Sequence, residues 1–329
     1  MRLNKVFDKF KDINIIVLGD VMIDSYTIGK INRQSPEAPV SVVNVIEEKT
    51  KLGGAANVAL NLKALGAKPI LCSVIGDDYY GNELIQLMKT HKMTVEGLIL
   101  DLKRKTTVKK RIIVDKKHVV RIDDEISSKI NDKNQIKLSK IISKFSKNSE
   151  ILIFQDYDKG VLDKNFIQKI IKENTNLFIS VDPKKRNFNF YKNTDLFKPN
   201  LSEITNGMNL KKNRINSIES LKKLGENFIK KNNIKTMILT LSERGLIIIN
   251  KKEKMHFKVA SKKILDVSGA GDTVISIASL LLYLNLPIKF IGKICNLSGG
   301  IVCSKSGVSI LKAKEIKQKA ESSKLELYL

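Results

Sequence analysis

Apolar positions along the chain fall into two rhythms. Ile13–Leu18 is an unbroken apolar run closed by Gly-Asp, which predicts a buried strand. Val40–Val45 is short and β-branched, as are Val108, Ile112–Val114 and Val119–Ile122 after Thr106, and these runs partly alternate. That pattern predicts a small antiparallel sheet with one face in water. Between them, Gly53–Gly66 reads as a helix, Pro69–Ile75 as a strand and Gly81–His91 as a second helix. From Glu150 the rhythm is strand then helix, through Ile151–Phe154, Phe166–Lys172, Leu177–Val181, Ile218–Lys231 and Met237–Leu241. Leu246–Asn250 with His256–Val259 resembles a hairpin, and Val274–Leu284 a long apolar helix. Alternating strands and helices imply a parallel sheet covered on both faces. With no internal repeat and no Pro- or Gly-rich linker, the expectation is one α/β domain over residues 1–329. It should carry a mostly parallel central sheet and a small β lid built from segments near 25–50 and 106–123.

Composition narrows the class. At 329 residues the chain can bury roughly 75% of its unfolded surface, so its core needs neither disulfide nor structural metal. Three cysteines, at 72, 295 and 303, form no close-spaced set, and only three histidines are present, so neither a disulfide framework nor a zinc site is indicated. Lys+Arg 59 against Asp+Glu 34 leaves +25, which raises the question of nucleic acid. The lysines are spread over the chain and are densest in Ser128–Lys147 and Lys211–Lys235, where Ile136, Leu138, Ile141, Ile142 and Phe145 recur at helical spacing. That describes wet faces of amphipathic helices rather than a nucleic-acid surface, though such a field attracts small anions. The N-terminus, MRLNKVFDKFKD, is charged throughout, and Val274–Leu286 falls short of the ~20 apolar residues that span a bilayer. The expected location is the cytoplasm.

The sharpest chemical signal is Asp266-Val-Ser-Gly-Ala-Gly-Asp272, running straight into the apolar helix. Small residues at a helix start leave backbone N–H groups uncovered, and with the helix dipole these make an anion site. Asp272 beside such a site makes sense as the acceptor of a proton from a hydroxyl that attacks a phosphoryl group. The bland alternative is an Asp cap on a Gly-rich turn. Gly53-Gly54-Ala-Ala-Asn57 opens another helix with glycines that let backbone approach a ligand. Asp20 and Asp24, Asp182-Pro-Lys184, Asn200-Leu-Ser-Glu203 and Thr240–Gly245 all follow strand-like runs, where open parallel sheets bind ligands. For each, a helix cap is the competing explanation.

Together these residues resemble the ribokinase (PfkB) family of sugar kinases, from about Ile13 to about Leu311. The signatures are Gly53–Asn57 and Asp266–Asp272. Gly19–Asp24, Arg33-Gln-Ser-Pro-Glu-Ala-Pro39, Gly53–Ala59, Thr106–Lys109 with Arg111, Asp156-Tyr157 with Lys159-Gly160, and Pro199–Glu203 are similar to the branch acting on heptose 7-phosphate. The Ser35–Pro39 segment is the most telling, since other sugar kinases of the family lack it.

The resemblance implies a ribokinase-like three-layer sandwich and a set of roles. Asp272 would be the catalytic base, with Gly269, Ala270 and Gly271 as the anion hole. Asn200, Leu201, Ser202 and Glu203 would approach ATP and its Mg2+, Glu203 indirectly, with Thr240, Ser242 and Gly245 near the nucleotide and Asn296 near the adenine. Asp24, Gly53, Gly54, Asn57 and Asp156 would contact the sugar, and Lys109 and Arg111 its 7-phosphate, with Arg33 in reserve. An exposed strand of alternating charges explains Lys109 and Arg111 equally well. Two positions depart from the family pattern: Ser268 stands for the usual Thr, and Lys185 for an expected Gly. The expected reaction is transfer of the γ-phosphoryl of ATP to the anomeric hydroxyl of heptose 7-phosphate, by a homodimer joined through the β lids. No His-x-Gly-His motif of a nucleotidyltransferase is present, so only the kinase step is expected. The rivals are another sugar kinase of the family, acting on fructose or ribose, and a basic nucleic-acid binder that merely keeps the fold.

Overall fold

The computed structural model describes residues 3–210, 217–259 and 264–329. The lysine-dense stretch from 211 thus falls in part outside the described residues. The first half of the chain runs through α1 (Leu3–Lys9), β1 (Asn14–Gly19), β2 (Val21–Gln34), β3 (Ser41–Gly54), α2 (Ala55–Leu65), β4 (Lys68–Gly76), α3 (Tyr79–Thr90), β5 (Leu98–Asp101), β6 (Thr107–Val114), β7 (Lys117–Asp124), α4 (Asp132–Ser146) and β8 (Ile151–Gln155). The second half adds α5 (Lys164–Glu173), β9 (Phe178–Asp182), β10 (Leu196–Phe197), α6 (Leu201–Gly207), α7 (Ile218–Asn232), β11 (Thr236–Thr240), β12 (Leu246–Asn250), β13 (Lys254–Phe257), α8 (Ala270–Tyr283), α9 (Ile288–Cys303) and α10 (Ala313–Ser322).

Among the described residues the large sheet has the order β13-β12-β11-β10-β9-β8-β1-β4-β5. Its strands are parallel from β5 to β11, and β12 and β13 close one edge antiparallel. The period of two along each strand shows in the packing. Ile15 and Val17 of β1 join Ile151 and Ile153 of β8 in the core under α1, α2, α8 and α9. Ile16 and Leu18 join Leu152 and Phe154 in the core under α4, α5 and α7. Helices cover both faces, as parallel strands require. The chain leaves β1 toward β4 and β5 on one side and returns on the other through β8 to β11, so the β1/β8 boundary is a topological switch point, where such sheets bind ligands beyond the strand C-termini.

The smaller sheet, β3-β2-β6-β7, is mixed rather than antiparallel throughout: β2 pairs antiparallel with β3 but parallel with β6. The reason is connectivity, since β6 enters from β5 in the same sense as β2 leaves β1. The β2–β3 strands are 14 residues each, far longer than Val40–Val45 implied. The outer part of β2, Lys30–Gln34, is exposed and carries almost no apolar residue, whereas Tyr26 and Lys51 are anchored. Val308 donates its N–H to the Tyr26 hydroxyl (3.0 Å) and accepts from Lys51 Nζ at its carbonyl (2.7 Å), tying the lid to the loop after α9. The N-terminal segment is also more structured than its charge implied: Leu3, Val6, Phe7 and Phe10, at helical spacing, are buried. Among the described residues no helix is long and apolar enough to cross a membrane.

Asp20, the single residue between β1 and β2, fixes the floor of the switch point. Its carboxylate is buried and accepts from the N–H groups of Tyr157 (2.9 Å), Lys159 (3.1 Å) and Val161 (3.0 Å). Asp20→Ala should therefore leave three donors without an acceptor, each costing about 1–3 kcal/mol. A urea midpoint equivalent to less than about 1 kcal/mol of lost stability would show that water replaces the carboxylate without penalty.

Candidate active site

The C-terminal ends of β8, β9, β10 and β11 and the N-terminus of α8 surround one cleft of ≈ 370 Å³. Gly269 sits at φ 80°, a left-handed conformation that favours glycine, and turns the chain into α8. Ala270 N–H bonds back to the carbonyl of Val267 (3.2 Å), so Gly271 and Asp272 present the first-turn donors that have no carbonyl behind them in the helix. Lys198 Nζ lies against Gly271, 3.4 Å from where a Cβ would stand, and pairs with Asp182 Oδ2 at 3.1 Å. Anion donors from helix and side chain thus converge on one point.

Asp272 is buried there and held from three elements. Asn57 Nδ2 on α2 donates to Oδ2 (2.7 Å), and the Tyr157 hydroxyl (2.7 Å) and Gln155 Nε2 (3.1 Å), at and beyond the end of β8, donate to Oδ1. Asn61 in turn donates to Asn57 Oδ1 (3.2 Å), which fixes that amide's orientation. Burial pushes the Asp272 carboxyl up to about 6, against the opposing pull of Asn57 and Tyr157, with Asp182 adding to the rise. A carboxylate poised at that value is ionised at neutral pH yet basic enough to take a proton.

On one side of Asp272 lies the nucleotide end expected from sequence. Asn200 caps α6 in a capping box with Glu203. Thr240, Ser242, Gly245 and Asn296 line the same cleft as Asn200 and Glu203. Asn296 Nδ2 donates to the carbonyls of Phe257 (2.8 Å) and Lys258 (3.2 Å), which sets its orientation. Leu201 and Ser202 do not line the cleft: Leu201 packs on the core beneath α6, and Ser202 accepts from Asn206 at 3.2 Å. Lys184 is paired with Glu203 and stands over the Tyr157 ring (5.3 Å). Burial works against its charge, but Asp182 and Glu203 outweigh that and raise its pKa.

On the other side are Asp24, Gly53, Gly54 and Asn57. Any Cβ on Gly53 would strike the Asp24 carboxylate, and Gly54, at φ 59°, lets β3 pass the Asp20 carbonyl closely. Arg111 is ion-paired with Asp24 and lies 5.4 Å from the centre of the Tyr26 ring, so its guanidinium is committed to orienting that carboxylate. Lys109 is on the same face of the lid, registered opposite Asp24.

Besides Leu201 and Ser202, two more expected residues stand elsewhere. Asp156 is fully buried, with Oδ2 accepting from Asn187 (3.0 Å) and the Tyr191 hydroxyl (2.8 Å) and Oδ1 from the Asp158 N–H (2.8 Å). Burial first, and Asp20 second, push it up to about 7, as befits a buttress within the fold. Arg33 is exposed near the outer end of β2, nine residues from Asp24, or about 30 Å along an extended strand. Conversely Gln155, Tyr157, Asp182, Lys184 and Lys198 face the site without having been assigned roles. All five end or closely follow a strand; Lys198 follows the two-residue β10, a strand the apolar pattern did not show, and so read as one lysine among many.

Polar groups at the strand ends of a parallel sheet, a helix N-terminus and a buried basic carboxylate together form an arrangement suited to phosphoryl transfer. The chain belongs to the pfkB family of carbohydrate kinases, whose family model matches residues 12–315. It is 36% identical over 305 residues to the bifunctional protein HldE of Helicobacter pylori (strain HPAG1), covering 92% of this chain. It is 37% identical over 304 residues to the protein of the same name from a Nitratiruptor species, again over 92%. The chain spans 65% and 64% of the length of those two proteins. Among solved structures it is similar to phosphofructokinase-2 of Escherichia coli (TM-score 0.77, 16% identity, covering 95% of this chain and 99% of that one). Ribokinase of Thermotoga maritima is also similar (TM-score 0.67, 20% identity, 95% and 100%). The ribokinase-like fold expected from sequence is thus the fold observed.

Removing a donor from Asp272 should raise its pKa further. In Tyr157→Phe the carboxyl should titrate above about 6, so the acidic limb of the kcat/KM profile moves to higher pH. An unmoved or lower limb would mean that Asp272 is not the group whose ionisation the profile reports.

Proposed function

We propose that the protein transfers the γ-phosphoryl of ATP to the anomeric hydroxyl of heptose 7-phosphate. The observation that carries the phosphoryl-transfer part is the placement of Asp272 between the donors of α8 and Lys198 on one side and Asp24 and Asn57 on the other. The heptose part is supported by the similarity to HldE over 92% of the chain and by the segments quoted above.

In this reading the sugar's ring hydroxyls bond Asp24 and Asn57, and the close backbone of Gly53 and Gly54 leaves room for the ring. Asp272 orients the attacking hydroxyl and accepts its proton at Oδ1 or Oδ2 as the bond to phosphorus forms. The amides of Gly271 and Asp272, with Lys198, take up the charge developing on the transferred group and on the leaving diphosphate. Tyr157 and Asn57 hold the carboxylate in line and keep it from protonating at neutral pH.

The residues fit a magnesium ion arriving with the nucleotide. Asp182 Oδ1 is buried and has no hydrogen-bond partner, which leaves one oxygen open beside the phosphate position. Glu203 is engaged through both oxygens, by Lys184 and by the Asn200 N–H (2.8 Å), so it can reach the ion only through water. Among the described residues no three His, Cys, Asp or Glu side chains gather as a metal site. Bound there, magnesium would neutralise phosphate charge.

The lid supports a homodimer. Val40, Val45, Ile46, Val119, Val120 and Ile122 are all exposed on it, and a second lid is the natural cover for such a surface.

An ATP-consumption screen over sugars and sugar phosphates tests the substrate, with heptose 7-phosphate expected to exceed fructose and ribose. Equal use of the free sugars would point to another kinase of the family, and retention of duplex DNA without sugar-stimulated turnover would end the enzyme reading. Asp272→Asn keeps shape but loses the proton acceptor, so turnover should fall ~10²–10⁴-fold. ATP affinity should stay nearly intact. A near-normal rate would reduce Asp272 to a cap on α8.

A further inference from the structure

We propose that Tyr26 and Lys51 are positioning residues for phosphoryl transfer: gripping the Val308 peptide from the lid, they hold that residue against Gly269 and so set the first-turn amides of α8. The inference rests on the kinase reading above and adds to it two residues that do not line the cleft around Asp272.

The gripped loop has no regular structure of its own. Residues 304–312, between α9 and α10, form neither helix nor strand, so bonds to other elements must hold them. Val308 gives both of its backbone groups to the lid, its N–H to the Tyr26 hydroxyl (3.0 Å) and its carbonyl to Lys51 Nζ (2.7 Å). On either side, Gly307 N–H donates to Asp266 Oδ2 (2.9 Å) and Leu311 N–H to Asn61 Oδ1 (3.0 Å). Asp266 opens the motif that ends in Asp272, and Asn61 orients the Asn57 amide that bonds Asp272. The Val308 side chain completes the contact, with one methyl 3.4 Å from where a Cβ on Gly269 would stand. This stretch of backbone therefore joins the lid to the anion donors and to the base.

The grip is itself well fixed. Lys51 on β3 is registered opposite Asp24, and Tyr26 opposite Arg111 on β6. Lys51 and Arg111 each lie 5.4 Å from the centre of the Tyr26 ring, which is buried, so the ring is set before its hydroxyl meets Val308. Gly307, at φ 66°, brings the loop close to that ring: a Cβ there would stand 3.2 Å from it. Lys51 is half-buried, and burial, with Lys49, lowers its pKa against the pull of Asp24 and Asp266. Lysines taken out of water are usually paired with an acid. Committing this one to a backbone carbonyl fixes a chain position instead, through a charge-assisted hydrogen bond. The Gly271 and Asp272 amides lie two and three residues past Gly269, so a shift of that turn moves the donors relative to the base. A displacement of about 1 Å at a reacting centre costs on the order of a hundred-fold in rate.

Loss of the grip should show in kcat rather than in binding. Tyr26→Phe keeps the ring and removes only the hydroxyl. Its kcat should fall about ten-fold or more, while KM for ATP and for the sugar phosphate stays within about two-fold. Val308→Ala leaves both backbone bonds in place but removes the methyls against Gly269, and should lose kcat in the same way. Lys51→Ala should do so too, and Lys51→Arg, which keeps a charged donor, should recover most of the rate. In the ligand-free protein, amide hydrogen exchange over residues 266–272 should quicken in Tyr26→Phe and in Val308→Ala. Unchanged exchange over β8 would show that both variants fold. A wild-type kcat in either variant, or a KM for the sugar phosphate that rises with kcat unchanged, would overturn the proposal. If no sugar or sugar phosphate stimulated ATP use, the kinase reading would fall, while exchange over residues 266–272 would still decide whether the grip acts on the Gly269 turn. Rates equal to wild type in both variants would mean that it does not.

Discussion

Asp272 is a carboxylate taken out of water, and much of the molecule is arranged around the cost of doing so. An isolated buried carboxylate would neutralise itself by taking up a proton, because desolvation disfavours the ionised form. Here its pKa rises only to about 6, since Asn57, Tyr157 and the neighbouring Lys198 all favour the charged form. Each of these groups belongs to a different element, so the carboxylate stays usable only if α2, the segment after β8 and the strand end before α6 are all in register. That demand explains the buried polar residues beneath the cleft. Asp20 pins the segment carrying Tyr157, Asn61 orients Asn57, and Asp182 holds Lys198. None of these needs to touch a substrate to govern the chemistry.

The same reasoning sorts the lysines of a strongly basic chain. Many sit on wet helix faces, where an ion pair contributes at most a few tenths of a kcal/mol to about 1 kcal/mol. Lys109, Lys159, Lys184 and Lys198 differ in being largely buried, and each faces a carboxylate: Glu125 for the first two, Glu203 and Asp182 for the others. Burying a cation with an imperfectly matched partner is unfavourable unless something else arrives to complete the match. Each carboxylate orients the ammonium group it faces.

How far this was legible in the sequence depended on which physical signal a residue left. Strands buried on both faces, such as β1, β8 and β11, announce themselves as apolar runs, and the helices between them by their period. The lid was legible as a small sheet but not in the length of its strands, because β2 beyond Gly29 is exposed and is held by pairing with β3 rather than by an apolar face. Its parallel pairing with β6 follows from connectivity, which no local pattern encodes. The N-terminal helix was obscured by its lysines, although Leu3, Val6, Phe7 and Phe10 carried the right spacing.

At the site, motif residues set by backbone needs were the most legible. Gly53, Gly54 and Gly269 are there because neighbouring segments pass closely or the backbone turns left-handed, and their spacing survives as a pattern. Side-chain direction was not legible. Asp156 stands beside Tyr157 and shares its motif, yet successive residues leaving a strand point to opposite faces of the sheet. Tyr157 therefore reaches Asp272, while Asp156 is buried against Asn187 and Tyr191. Arg111 shows the complementary limit: its place on the lid could be read, but its commitment to Asp24 depends on Tyr26 and Asp24 being brought to the same face by a strand the pattern did not show. What separates a ligand-binding cation from a positioning one is its nearest carboxylate, a property of the folded pair rather than of either residue.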